Sequence, residues 1–240
     1  MITTTSSAVD KIRTSRQLII VTTGSWTGVK ARLCCFERSD AGWIGQIRPF
    51  DAVVGKQGLA WDRELEGIAG KGPVKREGDG KAPAGVFRLL HAMGHAAKPP
   101  DNVTFQYEQI RPDMHCVDDP GSAYYNRIVS ERMLGRQAEE RWKSSEQLSQ
   151  MVEEYRWLIV VDYNRQNPEP GAGSCIFMHL WRSKEKGTAG CTAMAEQDLL
   201  TLLGWLRDEK KPLLVQLPEA EYERIGKIWG LPSVEQLVAP

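Results

Sequence analysis

Cys175-Ile176-Phe177-Met178-His179-Leu180-Trp181, a charged loop, then Thr188-Ala189-Gly190-Cys191-Thr192 is the stretch on which the reading of this 240-residue chain turns. The first run is strand-like. Side chains in a strand alternate faces, so Cys175, Phe177, His179 and Trp181 share one side. A histidine among aromatics at a strand end is fixed in orientation and partly desolvated. The loop Arg182–Lys186 carries four charged residues and must be exposed. It returns through Gly187 and Gly190 and sets Cys191 ahead of a helix. A cysteine beside glycine at a helix N-terminus lies in positive potential, which favours thiolate, and free amides there can donate to an oxyanion. Such a return can bring Cys191 within hydrogen-bond reach of His179, as general base and then acid. The same residue types also describe a small buried cysteine and a satisfied core histidine. Residue chemistry leaves both open.

Working outward, Gln17–Thr23 is a β-branched run suited to a buried strand, with Val29–Glu37 as its hairpin partner. Residues 55–85 are dense in glycine, lysine and aspartate and read as loop, ended by a short strand at Gly85–Leu90. Met93–Pro120 reads as irregular, and Ser144–Tyr155 as a helix with Leu148, Met151 and Val152 on one side. Arg156–Tyr163 and Cys175–Trp181 are apolar strands joined by a polar loop at Asn164–Ser174. A helix at Glu196–Leu206, a strand at Pro212–Leu217 and a helix at Glu219–Trp229 close the chain. Strands outnumber helices, which fall mainly after the central strands. That pattern indicates a β-dominated α+β fold in one domain rather than a βαβ repeat.

Lysine plus arginine and aspartate plus glutamate both number 31, giving zero formal net charge, which argues against a nucleic-acid binder. No apolar run approaches the roughly 18 residues that span a bilayer, and residues 1–16 lack the apolar stretch of an export signal. The five cysteines have no CxxC spacing, so disulfide-scaffold and zinc-knuckle readings are both poor. At least one thiol is free or pairs with another chain.

The segment His179…Thr188-Ala189-Gly190-Cys191 resembles the His…Ser-x-Gly-Cys signature of the L,D-transpeptidase family of bacterial cell-wall enzymes. Upstream, Glu77-Gly78-Asp79-Gly80-Lys81-Ala82-Pro83-Ala84-Gly85-Val86-Phe87 resembles that family's Gly-x-x-x-Thr-Pro-x-Gly-x-Phe stretch. The two occur in the family's order, and the likeness covers roughly Gln17 to Leu217. It implies a compact β-sandwich or barrel with a few peripheral helices. It divides the chain into a polar N-terminal tail (1–16), a catalytic domain (17–217) and a C-terminal helical extension (218–240).

The resemblance also implies acyl transfer on peptidoglycan stem peptides, donor and acceptor, without metal or cofactor. Cys191 would be the nucleophile, His179 the proton shuttle, Gly190 part of the oxyanion region and Thr188 a supporting residue. Arg182, Lys81 and Trp181 are candidate substrate contacts. Family members act in the cell envelope or periplasm, although this chain shows no signal peptide. Two positions depart from the family: Ala189 replaces a common histidine, and Ala193 a common arginine or asparagine. They put donor recognition in question and keep open an L,D-carboxypeptidase that hydrolyses with the same pair. Nothing in the sequence sets an oligomeric state.

Other signals carry less. Gly72–Lys81 suggests a phosphate loop, but Lys75 stands where glycine is needed and Ala82 replaces the magnesium-binding hydroxyl. His91 and His95 have helical metal-ligand spacing but no acidic residue between them. The eight tryptophans share no spacing, although a non-catalytic wall-binding module is a further alternative. A sortase-like enzyme would separate histidine and cysteine more widely, and a papain-like one would reverse their order.

Overall fold

The computed structural model describes residues 3–65, 70–135 and 141–238. Residues 1–2 of the tail, 66–69 of the glycine-rich loop and 239–240 of the C-terminal extension therefore lie outside the described residues. The strands are β1 (Gln17–Thr23), β2 (Lys30–Ser39), β3 (Gly42–Val53), β4 (Leu59–Trp61), β5 (Ala82–Gly94), β6 (Tyr107–Gln109) and β7 (Met114–Val117). They continue with β8 (Ile128–Ser130), β9 (Ser145–Gln147), β10 (Trp157–Val161), β11 (Phe177–Leu180), β12 (Thr192–Met194) and β13 (Leu213–Pro218). The helices are α1 (Thr3–Thr14), α2 (Glu131–Leu134), α3 (Glu196–Trp205), α4 (Glu219–Trp229) and α5 (Val234–Val238).

Strand β5 closes the architecture. Its first half, Gly85–Arg88, pairs with β13, and its second half, through Gly94, pairs with β10. From β10 the ladder runs through β11, β12, β3, β2, β1 and β13 back to β5, so the sheet closes on itself as a barrel. Closure removes the unpaired edges that an open sheet would present. Every residue of β1 is buried because the strand faces the core on one side and α4 on the other. The fold is thus β-dominated α+β, as the resemblance implied.

Helix α4 shows how sequence fixes a boundary. Tyr222, Ile225 and Trp229 recur at helical spacing and are buried. Glu219 and Glu221 face the positive N-terminal end, and Gly230, at φ 70°, ends the helix in the left-handed conformation.

Several elements differ from the sequence expectations. The N-terminal stretch read as a polar tail contains α1, which buries Ala8 and Ile12, one turn apart. Strand β3 was not anticipated, since Gly45 and Pro49 punctuate it and much of its middle is exposed. Strand β5 begins before Gly85 and runs past Leu90, so His91 lies on a strand rather than a helical face. Residues 144–155 form β9 and a 3-10 turn instead of a helix. Pairing of β9 with β7 overrides the helical spacing there, burying Leu148 while Val152 stays exposed. Strands β8, β7 and β9 form a second, three-stranded sheet inserted between β6 and β10.

Candidate active site

A cavity of about 200 Å³ lies between the barrel and the inserted sheet, lined on the barrel side by Ile176, Ala189, Gly190 and Cys191. Lys75, Glu77 and Gly78 line it from the loop before β5, and Asp118 and Glu146 from the insert. An apolar seam that includes Cys191, Phe177, Tyr155, Leu158, Met114 and Leu148 joins the two sheets.

Strands β11 and β12 are parallel, with Met178 beside Thr192 and His179 beside Ala193. Cys191, immediately before β12, therefore precedes His179's partner by two residues. In this resting state Cys191 Sγ accepts from the Phe177 amide at 3.3 Å and lies 3.4 Å from the Cys175 carbonyl oxygen, to which its thiol donates. No hydrogen bond joins it to His179 among the described residues; catalytic contacts often tighten only when substrate binds.

The environment corrects one expectation. Cys191 leads into strand β12, and α3 begins only at Glu196, so no helix end faces the sulfur. Burial, with a smaller contribution from the Glu146 charge, pushes the thiol well above its usual range. The Phe177 amide and Lys75 oppose that shift. Burial also lowers His179 to about 4. Both partners are thus neutral at rest. His179 Nδ1 lies 2.8 Å from the Leu180 carbonyl oxygen, which can only accept. Nδ1 therefore carries the proton and Nε2 the lone pair, the tautomer a general base needs. Tyr155 packs edge-on against His179, with centroids 5.3 Å apart, and fixes the ring plane.

The turn before Cys191 is built around Thr188. Its Oγ1 donates to the Cys191 carbonyl at 2.6 Å and accepts from the Gly190 amide at 3.1 Å. The Gly190 amide, assigned above to an oxyanion region, is therefore occupied in this state. Gly187 permits the approach: a Cβ there would lie 2.6 Å from the Lys56 Cα. The two motifs meet at Gln216 of β13. Thr192 Oγ1 donates to its Oε1 at 2.6 Å, and its Nε2 donates to the Pro83 carbonyl at 2.8 Å. One buried amide thus ties the residue after Cys191 to the Gly78–Phe87 stretch.

The candidate substrate contacts lie elsewhere. Arg182 is exposed and ion-paired with Glu154, and the Lys81 ammonium caps the Gln57 carbonyl. Neither residue, nor Trp181, lines the cavity. Ala193 is buried beside His179.

The sequence reading missed the other wall. Cys116 of β7 and Cys175 form a disulfide, so the poor prospect given to disulfides is corrected: one bridge staples the insert to the site, while Cys34, Cys35 and Cys191 stay free. The pair is 59 residues apart with no spacing signature, and only tertiary structure reveals it. At φ 54°, Cys175 lies before β11 and outside its strand geometry, and its side chain packs in the same cluster as Phe177 and Cys191. Buried Asn126 holds the Cys175 amide with Oδ1 at 2.9 Å. Lys75, in the stretch read as loop, is buried and paired with Asp79 at 2.7 Å. Glu77 accepts from Ser174 Oγ at 2.7 Å and Tyr125 Oη at 2.5 Å, so the polar loop at 164–174 is tied to the cavity wall through Ser174.

A family model for the L,D-transpeptidase catalytic domain (YkuD) matches residues 40–215. The comparison with curated proteins returns no match. Among solved structures the chain is similar to the helical cell shape determining protein Pgp2 from Campylobacter jejuni, at 14% identity and a TM-score of 0.40. That alignment covers 88% of this chain and 54% of the other, so the chain spans about half the length of that protein. A likeness at this level supports no inference about chemistry.

Proposed function

The chain belongs to the L,D-transpeptidase catalytic domain family, and from that premise we propose that it is a peptidoglycan L,D-transpeptidase working through a Cys191 thioester. The observation that carries this reading is a histidine on β11 whose tautomer is fixed for base catalysis, with the cavity-lining Cys191 immediately before the adjoining parallel strand β12.

His179 Nε2 takes the thiol proton as sulfur attacks the carbonyl between the third stem residue and the terminal D-residue. Because both partners rest neutral, thiolate forms only in concert with attack. The Cys191 amide, with Gly190's engaged by Thr188, is the donor left for the oxyanion. The imidazolium returns its proton to the leaving amine, the C–N bond breaks, and the D-residue departs. An amine of a neighbouring stem then attacks the thioester, the C–S bond breaks, and a 3-3 cross-link forms.

The Cys116–Cys175 bridge supports an oxidising location, consistent with envelope work. We take residues 17–217 as the catalytic unit, flanked by the N-terminal segment and the helical extension. Incubating the protein with a disaccharide-tetrapeptide and resolving products by mass spectrometry tests the reading. A cross-linked dimer supports it. Tripeptide alone points to the carboxypeptidase, and unchanged substrate removes both.

A further inference from the structure

Glu146 is a carboxyl that the reaction above does not use. It lies on β9, directly opposite Cys116 in the β7 register. Cys116 is bonded to Cys175, whose carbonyl receives the Cys191 thiol. One continuous path thus ties the carboxyl to the nucleophile, and both line the same cavity. Tyr155 provides a second path: its hydroxyl donates to Glu146 Oε2 at 2.7 Å while its ring packs on His179. Glu146 Oε1 has no hydrogen-bond partner among the described residues. By contrast, Glu77 has both oxygens engaged, by Tyr125 and Ser174 on one and the Gly78 amide on the other.

The second half-reaction has an unmet need. At neutral pH an alkylamine acceptor arrives as ammonium and must lose a proton before its nitrogen can attack. His179, lowered by burial, is a poor acceptor for it. Resting on the transpeptidase reading, we propose that Glu146 receives the acceptor's ammonium through Oε1 and takes its proton. The freed nitrogen lone pair then attacks the thioester carbonyl and the C–N bond forms. The C–S bond breaks, and Cys191 sulfur leaves with the remaining excess proton of the tetrahedral nitrogen, relayed through His179. Thioester plus ammonium gives amide, thiol and one proton held on Glu146, which then passes to solvent. Asp118, whose buried Oδ1 has no partner, lines the same cavity and adds negative charge for the incoming cation.

The electrostatics agree with that geometry. Burial raises Glu146 to about 7, the Tyr155 hydrogen bond opposes the rise, and Asp118 and Glu77 reinforce it. Cys191 and the Lys75 ammonium, which line the cavity too, complete the groups facing it.

The test separates acylation from transfer. Wild type, Glu146→Gln, Glu146→Asp and Tyr155→Phe are given disaccharide-tetrapeptide donor with an excess of a simple alkylamine acceptor. Acyl-enzyme is read by intact mass and amide product by chromatography between pH 5 and 9. Glu146→Gln should acylate at near the wild-type rate but transfer to amine about 10²-fold more slowly, accumulating thioester. Wild-type transfer should level off above neutral pH, whereas in Glu146→Gln it should keep rising in proportion to free amine. Glu146→Asp should restore the plateau, and Tyr155→Phe should move it to higher pH. Equal slowing of acylation and transfer in Glu146→Gln, or an unchanged transfer profile, overturns the inference while the parent reading stands. Absence of any acyl-enzyme in wild type overturns both.

Discussion

The two walls of the cavity are built on different principles. The barrel wall is a hydrogen-bonded strand ladder that presents Cys191, with His179 on the adjoining strand but outside the cavity lining, and burial holds both candidate groups neutral. The insert wall is three short strands joined to the barrel by an apolar seam and one disulfide, and it presents Asp118 and Glu146. A wall that performs bond making needs rigidity. One that meets a variable acceptor needs charge and can tolerate a looser scaffold. The contrast teaches that here precision comes from backbone pairing and charge from a stapled attachment.

The comparison can be broken most severely at the barrel wall. Cys191→Ala should lower turnover by roughly 10⁴-fold or more with unfolding temperature little changed. Loss of a stable fold instead would make Cys191 a packing residue. The staple comes next. Closing a loop between residues 59 apart is worth about 4 kcal/mol in the chain-entropy account. Cys116→Ser, or reduction of wild type, should lower thermal stability accordingly, and the mutant should no longer respond to reductant. Asp79→Asn leaves the Lys75 ammonium buried without its counter-charge and should cost about 3 kcal/mol in denaturant unfolding.

The walls also titrate in opposite senses. His179 falls from 6.5 to about 4 on folding, so its contribution is fully present above 6.5. It is lost as pH falls toward 4, up to about 3 kcal/mol in all. Glu146 rises to about 7, so its contribution is full below the ordinary carboxylate range and lost as pH rises through 7. The two slopes oppose over one window between about 4 and 7, so relative to wild type stability should fall with rising pH there in His179→Gln and rise with it in Glu146→Gln. The smallest effect belongs to the joint between the motifs. Gln216→Leu strands the Thr192 hydroxyl and the Pro83 carbonyl and should cost about 2 kcal/mol.

The barrel wall was legible in the sequence because its signals are local. The apolar run ending at His179, the glycines before Cys191 and the Gly78–Phe87 stretch each speak within a few residues. Even there, strand β12 went unread between Cys191 and the helix expected at Glu196–Leu206, which the structure has as α3, because three residues paired with β11 and β3 reveal no period of their own. The insert wall was largely illegible. Glu146 falls in a segment whose spacing mimics a helix, and Lys75 sits in a stretch that reads as loop. The Cys116–Cys175 bridge depends on a chain reversal that no spacing encodes. Long-range pairing decided all three.

The most direct measurement is the mass of the Cys191 peptide after brief exposure of the protein to tetrapeptide donor, quenched in acid and digested without base. The account predicts an added acyl group on Cys191, absent in Cys191→Ala and removed by an amine acceptor. Turnover of donor with an unmodified Cys191, or turnover undiminished in Cys191→Ala, would contradict it.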